Sequence, residues 1–564
     1  MIKRTESIWH KYKKPTEWTD FLPDFSMYEL IRQNSNEYSE KCAIEFEGKK
    51  TSYKELFEQI DIVAKALVAH GVKKGDIVSV VSTNTPQVVA MVYALNRIGA
   101  VSNMIHPLLS PAEIKKFVQD TNSVAVLTLE QIYPKIKQIN WDNGSNPLVI
   151  IARIVDALPT LIKPIYSMKA KIELELNEEH RNIYWNDFIS SKIISDVTLP
   201  ADTGVGADLA MIMYSGGTSG TPKGVMLSNS NLNSYAVISY ETTTGVKPVG
   251  KKTLAILPLF HGFGFASCIH SSLAQGVHIF LLPKFDFENS IKLVFKKKVN
   301  FINAVPAFYE ALLRSPYIEN NDLSFLENLF CGGDKLNSKL RERLLKKLEE
   351  GNSPSAFFEG YGQTECVAGC IVTPHFATNI KSVGMALPEV QTKFVKPGTL
   401  EEVPAGEDGE LCVCSPMVMM GYYNNEEETK NTLRVHSDGK TWLHTGDMLS
   451  VDEDGFFYFK QRISRMIISS GYNVYVTQME KIIAECEEVA ACCVVGVADR
   501  VVGQKIKAVV VAADKTISDE TLKNIVSEKC KENLAEYSQP HEICVVDKLP
   551  MTHLGKVNYK ALEG

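Results

Sequence analysis

A loop of small residues directly follows an apolar run near the middle of the chain. Residues 209–213 are all apolar, which is typical of a buried strand, and residues 214–224 read Tyr-Ser-Gly-Gly-Thr-Ser-Gly-Thr-Pro-Lys-Gly. The backbone N–H groups of such a loop can surround a polyphosphate. Because α/β proteins hold nucleotides at loops that follow strands, the feature predicts an α/β fold with a nucleotide site.

Two familiar loop types are excluded by the residues around Lys223. A Walker loop has serine or threonine after its lysine, whereas Gly224 follows Lys223 here. A serine-hydrolase elbow has glycine two residues after its serine, whereas Thr221 stands two residues after Ser219. The loop alone therefore indicates phosphate binding without identifying the reaction.

Composition narrows the class of protein. With 564 residues, the chain is too long for a single hydrophobic core and predicts two or more domains. The net charge of −7 argues against a nucleic-acid partner, which would require a basic surface. No apolar stretch reaches the roughly 20 residues of a spanning helix, and the charged N-terminus lacks the apolar core of a signal peptide. The twelve cysteines form no disulfide pattern, so a cytoplasmic protein with free thiols is expected.

The order of apolar and polar stretches predicts the architecture. Helical and strand-like stretches alternate over 51–130 and again over 253–350, which implies parallel sheets with helices on their faces. Short, turn-rich strands follow residue 384. The expected fold is α/β: a large N-terminal domain, 1–463, of parallel or mixed sheets with flanking helices and a small β-rich subdomain, and a smaller, mobile α+β C-terminal domain, 464–564.

The segment 152–176 alternates lysines with leucine, isoleucine, tyrosine and methionine. A basic amphipathic helix can lie on a membrane surface, and the protein would then be membrane-peripheral. A surface helix packed against its own domain explains the same pattern and is the favoured interpretation of the two.

Two further motifs carry groups suited to a nucleotide. Residues 359–365 read Glu-Gly-Tyr-Gly-Gln-Thr-Glu, in which the ring of Tyr361 can stack on a base and Glu365 can hold a magnesium ion. Residues 445–447 read Thr-Gly-Asp, and the Asp447 carboxylate can accept hydrogen bonds from both hydroxyls of a ribose. Taken singly, such groups are more often core aromatics or solvated acids.

Two cations complete the set. Arg462 can brace the ribose site or form an ordinary surface ion pair. Lys556 ends the stretch 549–556, Leu-Pro-Met-Thr-His-Leu-Gly-Lys, on a loop near the C-terminus. Because a lysine in a tail is normally solvated, its meaning depends on the other motifs.

The ordered set of motifs resembles the acyl-adenylate-forming superfamily, which contains acyl-CoA synthetases, firefly luciferase and peptide-synthetase adenylation domains. The resemblance is collinear and spans nearly the whole chain. It implies that ATP activates a small-molecule carboxylic acid as acyl-AMP, with loss of pyrophosphate, and that the thiol of CoA then displaces AMP. ATP, Mg²⁺ and CoA are therefore the expected cofactors.

The resemblance also implies roles for individual residues. The cofactor-binding residues that it indicates are Ser215, Gly216, Gly217, Thr218, Ser219, Gly220, Lys223, Gly333, Glu359, Gly360, Tyr361, Gly362, Thr364, Asp447, Arg462 and Gly471. The expected catalytic residues are Lys556, which bridges the carboxylate and the α-phosphate, together with His261 and Glu365. Thr218 and Glu365 are the expected metal ligands.

Enzymes of this superfamily rotate the C-terminal domain about a hinge between the two half-reactions. By this resemblance Lys556 leaves after the first step, and the loop containing Gly471 lines the thiol tunnel. The chain departs from the family pattern at the hinge, where Ser464 replaces an aspartate or lysine and Arg465 stands where an acid is common. Further departures are Gln461 before Arg462, Val476 in place of a proline, and residues 557–559, Val-Asn-Tyr, in place of an acid and an arginine.

The identity of the acid depends on residues 257–265, Leu-Pro-Leu-Phe-His-Gly-Phe-Gly-Phe. They include no aspartate or glutamate that could form an ion pair with the amino group of a substrate, so amino-acid substrates are disfavoured. His261 resembles a residue that lines the acyl site of acyl-CoA synthetases, although a structural histidine is the alternative. The other expected lining residues are apolar or small, and their glycines leave room for a long tail: Phe260, Phe265, Val305, Gly332, Gly333, Gly360, Cys366, Val367 and Ala368. Residues 9–12 and 152–176 resemble bacterial long-chain fatty-acid CoA ligases, so a fatty acid is expected.

Three alternatives stay open. The chain could be an acyl-AMP ligase that loads an acyl-carrier protein, or a CoA ligase for an aryl or bile-type acid. It could also be a nucleotide-binding scaffold without turnover, which the presence of Lys223, Glu365, Asp447 and Lys556 argues against. Thioester formation with free CoA and carboxylate-dependent release of pyrophosphate distinguish these functions.

Overall fold

The computed structural model describes most of the chain and divides it into two compact units. The described residues are 2–3, 21–141, 146–160, 162–164, 174–201, 204–215, 222–243, 248–283, 286–319, 321–333, 336–375, 379–404, 406–469, 472–474, 476–499, 503–534, 538–551 and 557–563. One unit comprises Met1–Gln391 and Val413–Leu443, and the other comprises Thr392–Cys412 and His444–Gly564. The boundary expected at residue 464 is a hinge between two domains that move, whereas the two units are defined by contacts within one structure. The hinge stays a prediction.

The first unit contains an eight-stranded sheet that includes the strand preceding the predicted phosphate loop. Its strands in spatial order are Gly421–Tyr422, Lys223–Ser228, Leu209–Ser215, Val101–Ile105, Ile77–Val81, Ala125–Leu129, Leu148–Ala152 and Arg181–Tyr184. The last six are mutually parallel, and the first two run antiparallel to their neighbours. Ile77–Val81 and Ala125–Leu129 are buried at every residue, as expected for parallel strands covered on both faces.

A second sheet, of nine strands, belongs to the same unit. Its strands in spatial order are Met385–Ala386, Ile371–Val372, Ala356–Tyr361, Asn328–Cys331, Phe301–Ala304, Lys252–Ala255, His278–Leu281, Cys42–Phe46 and Lys49–Ser52. The strands from Ala356–Tyr361 to Cys42–Phe46 are parallel. Parallel neighbours need long crossover connections, which helices provide here, so the α/β class predicted from the alternating pattern is confirmed. Further short strands are Ile2–Lys3, Phe21–Leu22 and Leu433–Val435.

Helices of the first unit begin where sequence signals place them. Residues 51–56, Thr-Ser-Tyr-Lys-Glu-Leu, predict a helix start, and Ser52 and Glu55 form a capping box at the start of Tyr53–Ala69. The described helices of this unit are Met27–Ser35, Asn36–Tyr38, Tyr53–Ala69, Pro86–Arg97, Pro111–Asp120, Tyr133–Ile136, Ile154–Ala157, Trp185–Phe188, Ser191–Ile194, Asn229–Thr243, Phe263–His270, Ser271–Ala274, Phe287–Lys297, Pro306–Arg314, Ser338–Glu350, Thr364–Cys366 and Glu426–Thr432. Phe263–His270 is a π-helix, a rare form that often occurs at functional sites.

The second unit contains short strands and a compact α+β module. Its strands, some of which include residues of the first unit, are Gln391–Val395, Gly409–Cys414, Thr441–Val451, Phe457–Arg462, Ile467–Ser469, Tyr472–Val474, Val489–Asp499, Gly503–Ala512 and Glu542–Val545. Its helices are Ile463–Arg465, Val476–Ile483, Asp519–Asn533 and Tyr559–Ala561. Val494, Ile506, Leu522 and Val526 are buried in the core of this module. The sequence predicts a helix around 519–533 and strands over 489–498 and 505–513, and the structure confirms them as Asp519–Asn533, Val489–Asp499 and Gly503–Ala512.

The segment 152–176 connects the strands Leu148–Ala152 and Arg181–Tyr184 of the eight-stranded sheet. Its described part contains the short helix Ile154–Ala157. Residues 161 and 165–173 lie outside the described residues, and much of the predicted amphipathic stretch lies there with them. Across the described ranges, no helix has both the length and the hydropathy needed to cross a membrane.

Candidate active site

The predicted phosphate loop connects two antiparallel strands. Ser215 ends one strand, Lys223 begins the next, and the two residues are paired across the ladder. The loop therefore leaves the sheet at Ser215 and returns to it at Lys223. The strand before the loop was predicted, whereas the returning strand was not. The expected site residues Gly216, Gly217, Thr218, Ser219, Gly220, Gly471 and Lys556 lie outside the described residues.

Glu365 lies close to the start of this loop. It belongs to the short helix Thr364–Cys366, and only 8% of its surface is exposed. Its Oε1 atom accepts a hydrogen bond from the Ser215 hydroxyl at 2.9 Å and another from the Tyr422 hydroxyl at 2.9 Å. Two donors on one oxygen fix the carboxylate, and the Oε2 atom accepts no hydrogen bond from a described residue.

Backbone pairing brings Tyr422 to Glu365. The strand Gly421–Tyr422 pairs with Lys223–Ser228, and the Met419 N–H donates to the Glu365 carbonyl at 2.9 Å. Gly421 has a φ of 141°, and a Cβ atom there would lie 2.8 Å from the Thr429 side chain. Burial and the nearby Glu365 carboxylate raise the pKa of Tyr422, so its hydroxyl stays protonated and can donate.

Lys223 forms an ion pair with an acidic residue of the first unit. Its Nζ atom forms an ion pair with the carboxylate of Glu428, on the helix Glu426–Thr432. The same nitrogen lies 5.0 Å from the centre of the Tyr422 ring, within cation–π range. The pair borders a cleft of about 430 Å³, a volume in the range of small-molecule sites. Neither Tyr422 nor Glu428 is marked by a motif in the sequence.

The stretch 359–365 is shaped by close packing as much as by polar groups. Glu359 forms an ion pair with Arg341 at 2.7 Å, and both side chains are largely buried. A Cβ atom on Gly362 would lie 1.8 Å from the Ala368 carbonyl oxygen, so a side chain has no room there. Tyr361 is half-buried at the end of the strand Ala356–Tyr361, and Thr364 is buried.

Two glycines expected to leave room for an acyl tail instead face aromatic rings. A Cβ atom on Gly360 would lie 2.4 Å from Phe330, and one on Gly332 would lie 3.2 Å from Phe263. The rings of Phe263 and Phe330 contact each other edge to face, with centroids 5.8 Å apart. The expectation of open space at these two glycines is therefore wrong, because phenyl side chains fill it. Gly333 has a φ of 83°, which favours glycine, and open space towards Val305.

The segment that precedes the π-helix contains His261. The side chain is exposed, and its Nδ1 atom accepts a hydrogen bond from the Phe263 N–H at 3.3 Å. Phe265, Cys366 and Val367, which the sequence places on the acyl pocket, are fully buried. His261 thus stands at the accessible end of an apolar segment, where a substrate could reach it.

In the second unit, Asp447 and Arg462 are opposite one another on paired strands. The Arg462 Nε atom lies 3.6 Å from the Asp447 Oδ1 atom, and the Asp447 side chain is 5% exposed. The Thr445 hydroxyl donates to the Leu411 carbonyl at 2.8 Å and accepts from the Asp447 N–H at 3.2 Å, which holds the turn in place. The structure therefore brings together the pair that the sequence proposed for a ribose.

Two departures from the family pattern contact each other in the same unit. The guanidinium of Arg465 lies 3.9 Å from the centre of the Tyr559 ring. Arg465 also donates to Glu480 at 2.6 Å and to the Val494 carbonyl at 3.3 Å. Arg465 thus links the helix Ile463–Arg465 to Tyr559, which follows Lys556 in the sequence.

Comparison with known proteins identifies the family. The sequence profile of the AMP-binding enzyme family matches residues 31–423. The profile of the AMP-binding enzyme C-terminal domain matches residues 478–556. The chain is 29% identical over 541 residues to a long-chain-fatty-acid–CoA ligase of Bacillus subtilis (strain 168), covering 95% of this chain and 94% of that protein. It is 30% identical over 521 residues to a feruloyl-CoA synthase of Amycolatopsis sp, covering 91% of this chain and 94% of that protein.

A solved structure agrees with these sequence matches. The ATP-bound MatB from Rhodopseudomonas palustris has a TM-score of 0.76 and 26% sequence identity, covering 95% of this chain and 98% of that chain. The expected fold class, a large α/β N-terminal domain with a smaller C-terminal domain, is confirmed. Because the family profile matches far more than half of the sequence, the chain belongs to the AMP-binding enzyme family of adenylate-forming acyl-CoA ligases.

Proposed function

We propose that the chain activates a carboxylic acid with ATP and transfers the acyl group to CoA. In the first step, a carboxylate oxygen of the acid attacks the α-phosphorus of ATP, and pyrophosphate leaves as acyl-AMP forms. In the second step, the CoA thiolate attacks the acyl carbon, and AMP leaves with the electron pair of the broken bond. The products are acyl-CoA, AMP and pyrophosphate.

The observation that carries this proposal is the contact between Glu365 and Ser215 at the start of the phosphate loop. Both reactants are anions, so the first step needs fixed cations and donors around the phosphates. The loop from Ser215 to Lys223 supplies donors for the β- and γ-phosphates. The Oε2 atom of Glu365 is a ligand of the type that Mg²⁺ prefers, and with Thr218 it would hold an ion that neutralises phosphate charge.

The remaining site residues hold the nucleoside and complete the reaction. Asp447, braced by Arg462, accepts the ribose hydroxyls, and Tyr361 stacks on adenine. Lys556 stabilises the negative charge that develops between the acid and the α-phosphate. Gly333, Glu359, Gly360, Gly362 and Thr364 shape the nucleotide pocket, whereas His261 and Gly471 act on the acyl and thiol sides.

We favour a medium- or long-chain fatty acid as the substrate. The similarity to a long-chain-fatty-acid–CoA ligase over nearly the whole chain supports a fatty acid. The lack of any aspartate or glutamate among residues 257–265 also supports it, because an amino-acid substrate would need a carboxylate there. An aryl acid is a second candidate. It is supported by the rings of Phe263 and Phe330, which fill the space beside two wall glycines, and by the similarity to a feruloyl-CoA synthase.

Release of pyrophosphate tests the proposal. The purified protein is incubated with ATP, Mg²⁺ and fatty, aryl or branched acids, with and without CoA. We expect acid-dependent pyrophosphate release, and acyl-CoA when CoA is present. Lys556→Ala should slow formation of the AMP ester by about 100-fold or more, because one preorganised donor is lost. Release that does not depend on any acid, or an undiminished rate in the variant, contradicts the proposal.

We also propose a peripheral membrane contact through the segment 152–176. Its alternating lysines and apolar residues support this contact, since such a segment can lie at an anionic lipid surface. Deletion of residues 155–175 should weaken co-sedimentation with anionic liposomes while pyrophosphate release with a short, soluble acid persists. Equal co-sedimentation of both proteins contradicts the contact.

A further inference from the structure

Two hydroxyl groups from distant parts of the first unit meet at one oxygen of Glu365. Ser215 and Tyr422 each donate to Oε1 at 2.9 Å. An ionised carboxylate has two oxygens, and both of these donors occupy the same one. The arrangement leaves Oε2 without a hydrogen bond from any described residue, and a carboxylate oxygen left in this way can bind a cation.

Tyr422 is itself held rigidly. Its side chain is buried, with 5% of the residue exposed, and its N–H donates to the Thr429 hydroxyl at 2.8 Å. The strand Gly421–Tyr422 pairs with Lys223–Ser228, the strand that follows the phosphate loop. A buried, protonated phenol on a paired strand is a fixed donor with little conformational freedom to lose when it holds a carboxylate.

The ring of Tyr422 also faces the lysine that closes the loop. Its centre lies 5.0 Å from Lys223 Nζ, while its hydroxyl bonds Glu365. The Tyr422 side chain therefore contacts both the Glu365 carboxylate and the Lys223 ammonium group, which the proposed reaction uses.

We propose that Tyr422 is a positioning residue that orients Glu365 so that Oε2 faces the metal. The inference rests on the proposed function, in which Glu365 holds Mg²⁺. Tyr422 touches neither the metal nor a substrate and acts only through Glu365. Removal of a residue that hydrogen-bonds to a metal ligand typically lowers metal affinity by about 10- to 100-fold.

The test has two readouts on the full chain at saturating ATP: the affinity for Mn²⁺, a paramagnetic substitute for Mg²⁺, measured without acid by electron paramagnetic resonance, and the dependence of pyrophosphate release on free Mg²⁺ at saturating acid. The two readouts should shift together. Tyr422→Phe removes the hydroxyl and keeps the ring beneath Lys223. We expect the Mg²⁺ concentration at half-maximal rate to rise about tenfold, with the rate at saturating Mg²⁺ largely restored. Tyr423→Phe is the matched control, because it removes a hydroxyl from the neighbouring residue, and it should leave the Mg²⁺ dependence unchanged.

A second variant removes the other donor and protects the test against misfolding. Ser215→Ala should raise the half-maximal Mg²⁺ concentration as well, and the double variant should raise it beyond either single change. Tyr422→Phe with the wild-type Mg²⁺ dependence overturns the inference, as does a lower maximal rate that added Mg²⁺ does not restore. A wild-type protein that releases no pyrophosphate with any acid overturns the proposed function instead, so the two failures are distinct.

Discussion

Lys223 and Glu428 form an ion pair at the end of the phosphate loop. The Lys223 side chain is 20% exposed and that of Glu428 is 35% exposed, so the pair is only partly screened by water. Glu426, in the same turn of the helix, is 92% exposed in its side chain and pairs with Lys430 at 3.8 Å. The lysine expected to hold phosphate is thus bound to an anion of the chain itself.

Glu428→Gln should strengthen ATP binding. A phosphate that approaches Lys223 meets the negative charge of Glu428 and must displace it, and the amide competes less well for the lysine. We expect the Kd for ATP, measured by calorimetry, to fall about 2- to 5-fold, in the range of one partly exposed ion pair. Glu426→Gln, which removes the same charge from the same turn, should change the Kd less. Weaker binding by Glu428→Gln would mean that Glu428 positions the lysine for phosphate.

Phe330→Ala should shift the preference of the enzyme towards longer acids. The ring occupies the space next to Gly360, and its removal opens that side of the expected acyl wall. We expect the ratio of kcat/KM for a long-chain acid to that for an aryl acid to rise about tenfold. Phe295→Ala, which removes another half-buried ring that stacks on Tyr317, is the control. An unchanged ratio places Phe330 outside the acyl site.

Arg465→Met should destabilise the second unit. The side chains of Arg465 and Glu480 are 16% and 18% exposed, and loss of the arginine leaves a poorly solvated carboxylate. We expect a loss of about 3 kcal/mol in the free energy of unfolding, the low end of the range for a buried pair. Lys531→Met breaks an exposed pair, at 57% and 67% exposure, and should cost less than about 1 kcal/mol. Equal effects in urea titrations would show that the Arg465 contacts add no more stability than an exposed ion pair does.

His270 should make stability depend on pH. Its ring nitrogens lie 2.9 Å from the Tyr93 hydroxyl and 2.9 Å from the Asn233 side-chain oxygen, and burial lowers the pKa of His270 to about 3. A histidine in the unfolded chain has a pKa of about 6.5. Between the two pKa values only the unfolded chain binds a proton at this histidine, so the free energy of unfolding falls as the pH falls. At pH 5 the loss is about 2 kcal/mol.

Urea titrations at pH 7 and pH 5 check this dependence. His270→Gln removes the titrating group, so the variant should lose less stability between the two pH values than the wild type does. His541→Gln is the control, because His541 is exposed. If His270→Gln has the same pH dependence as the wild type, another group is responsible.

Local patterns in the sequence predict much of the fold. Residues 209–213 predict the strand before the loop because they are continuously apolar, and Ser52 with Glu55 predicts a helix start because the capping box is a local contact. Asp447 and Arg462 are likewise recognised from motifs, and strand pairing then places them together.

The contacts of Tyr422 and Glu428 could not be predicted in the same way. Residues 421–428 read Gly-Tyr-Tyr-Asn-Asn-Glu-Glu-Glu, a polar stretch in which two tyrosines and three acids look alike. Only the pairing of Gly421–Tyr422 with Lys223–Ser228 selects one tyrosine to meet Glu365. The space beside Gly360 was misjudged for a similar reason, because the Phe330 ring that fills it comes from a neighbouring strand.

The contact between Arg465 and Tyr559 has an evolutionary consequence. Each residue is an unexplained departure from the family pattern when the positions are compared one at a time. Since the two side chains stack, a substitution at either position changes the environment of the other, and the two positions should co-vary among descendants of this chain. A designer who restores an acid at 465 must therefore also choose a new partner at 559.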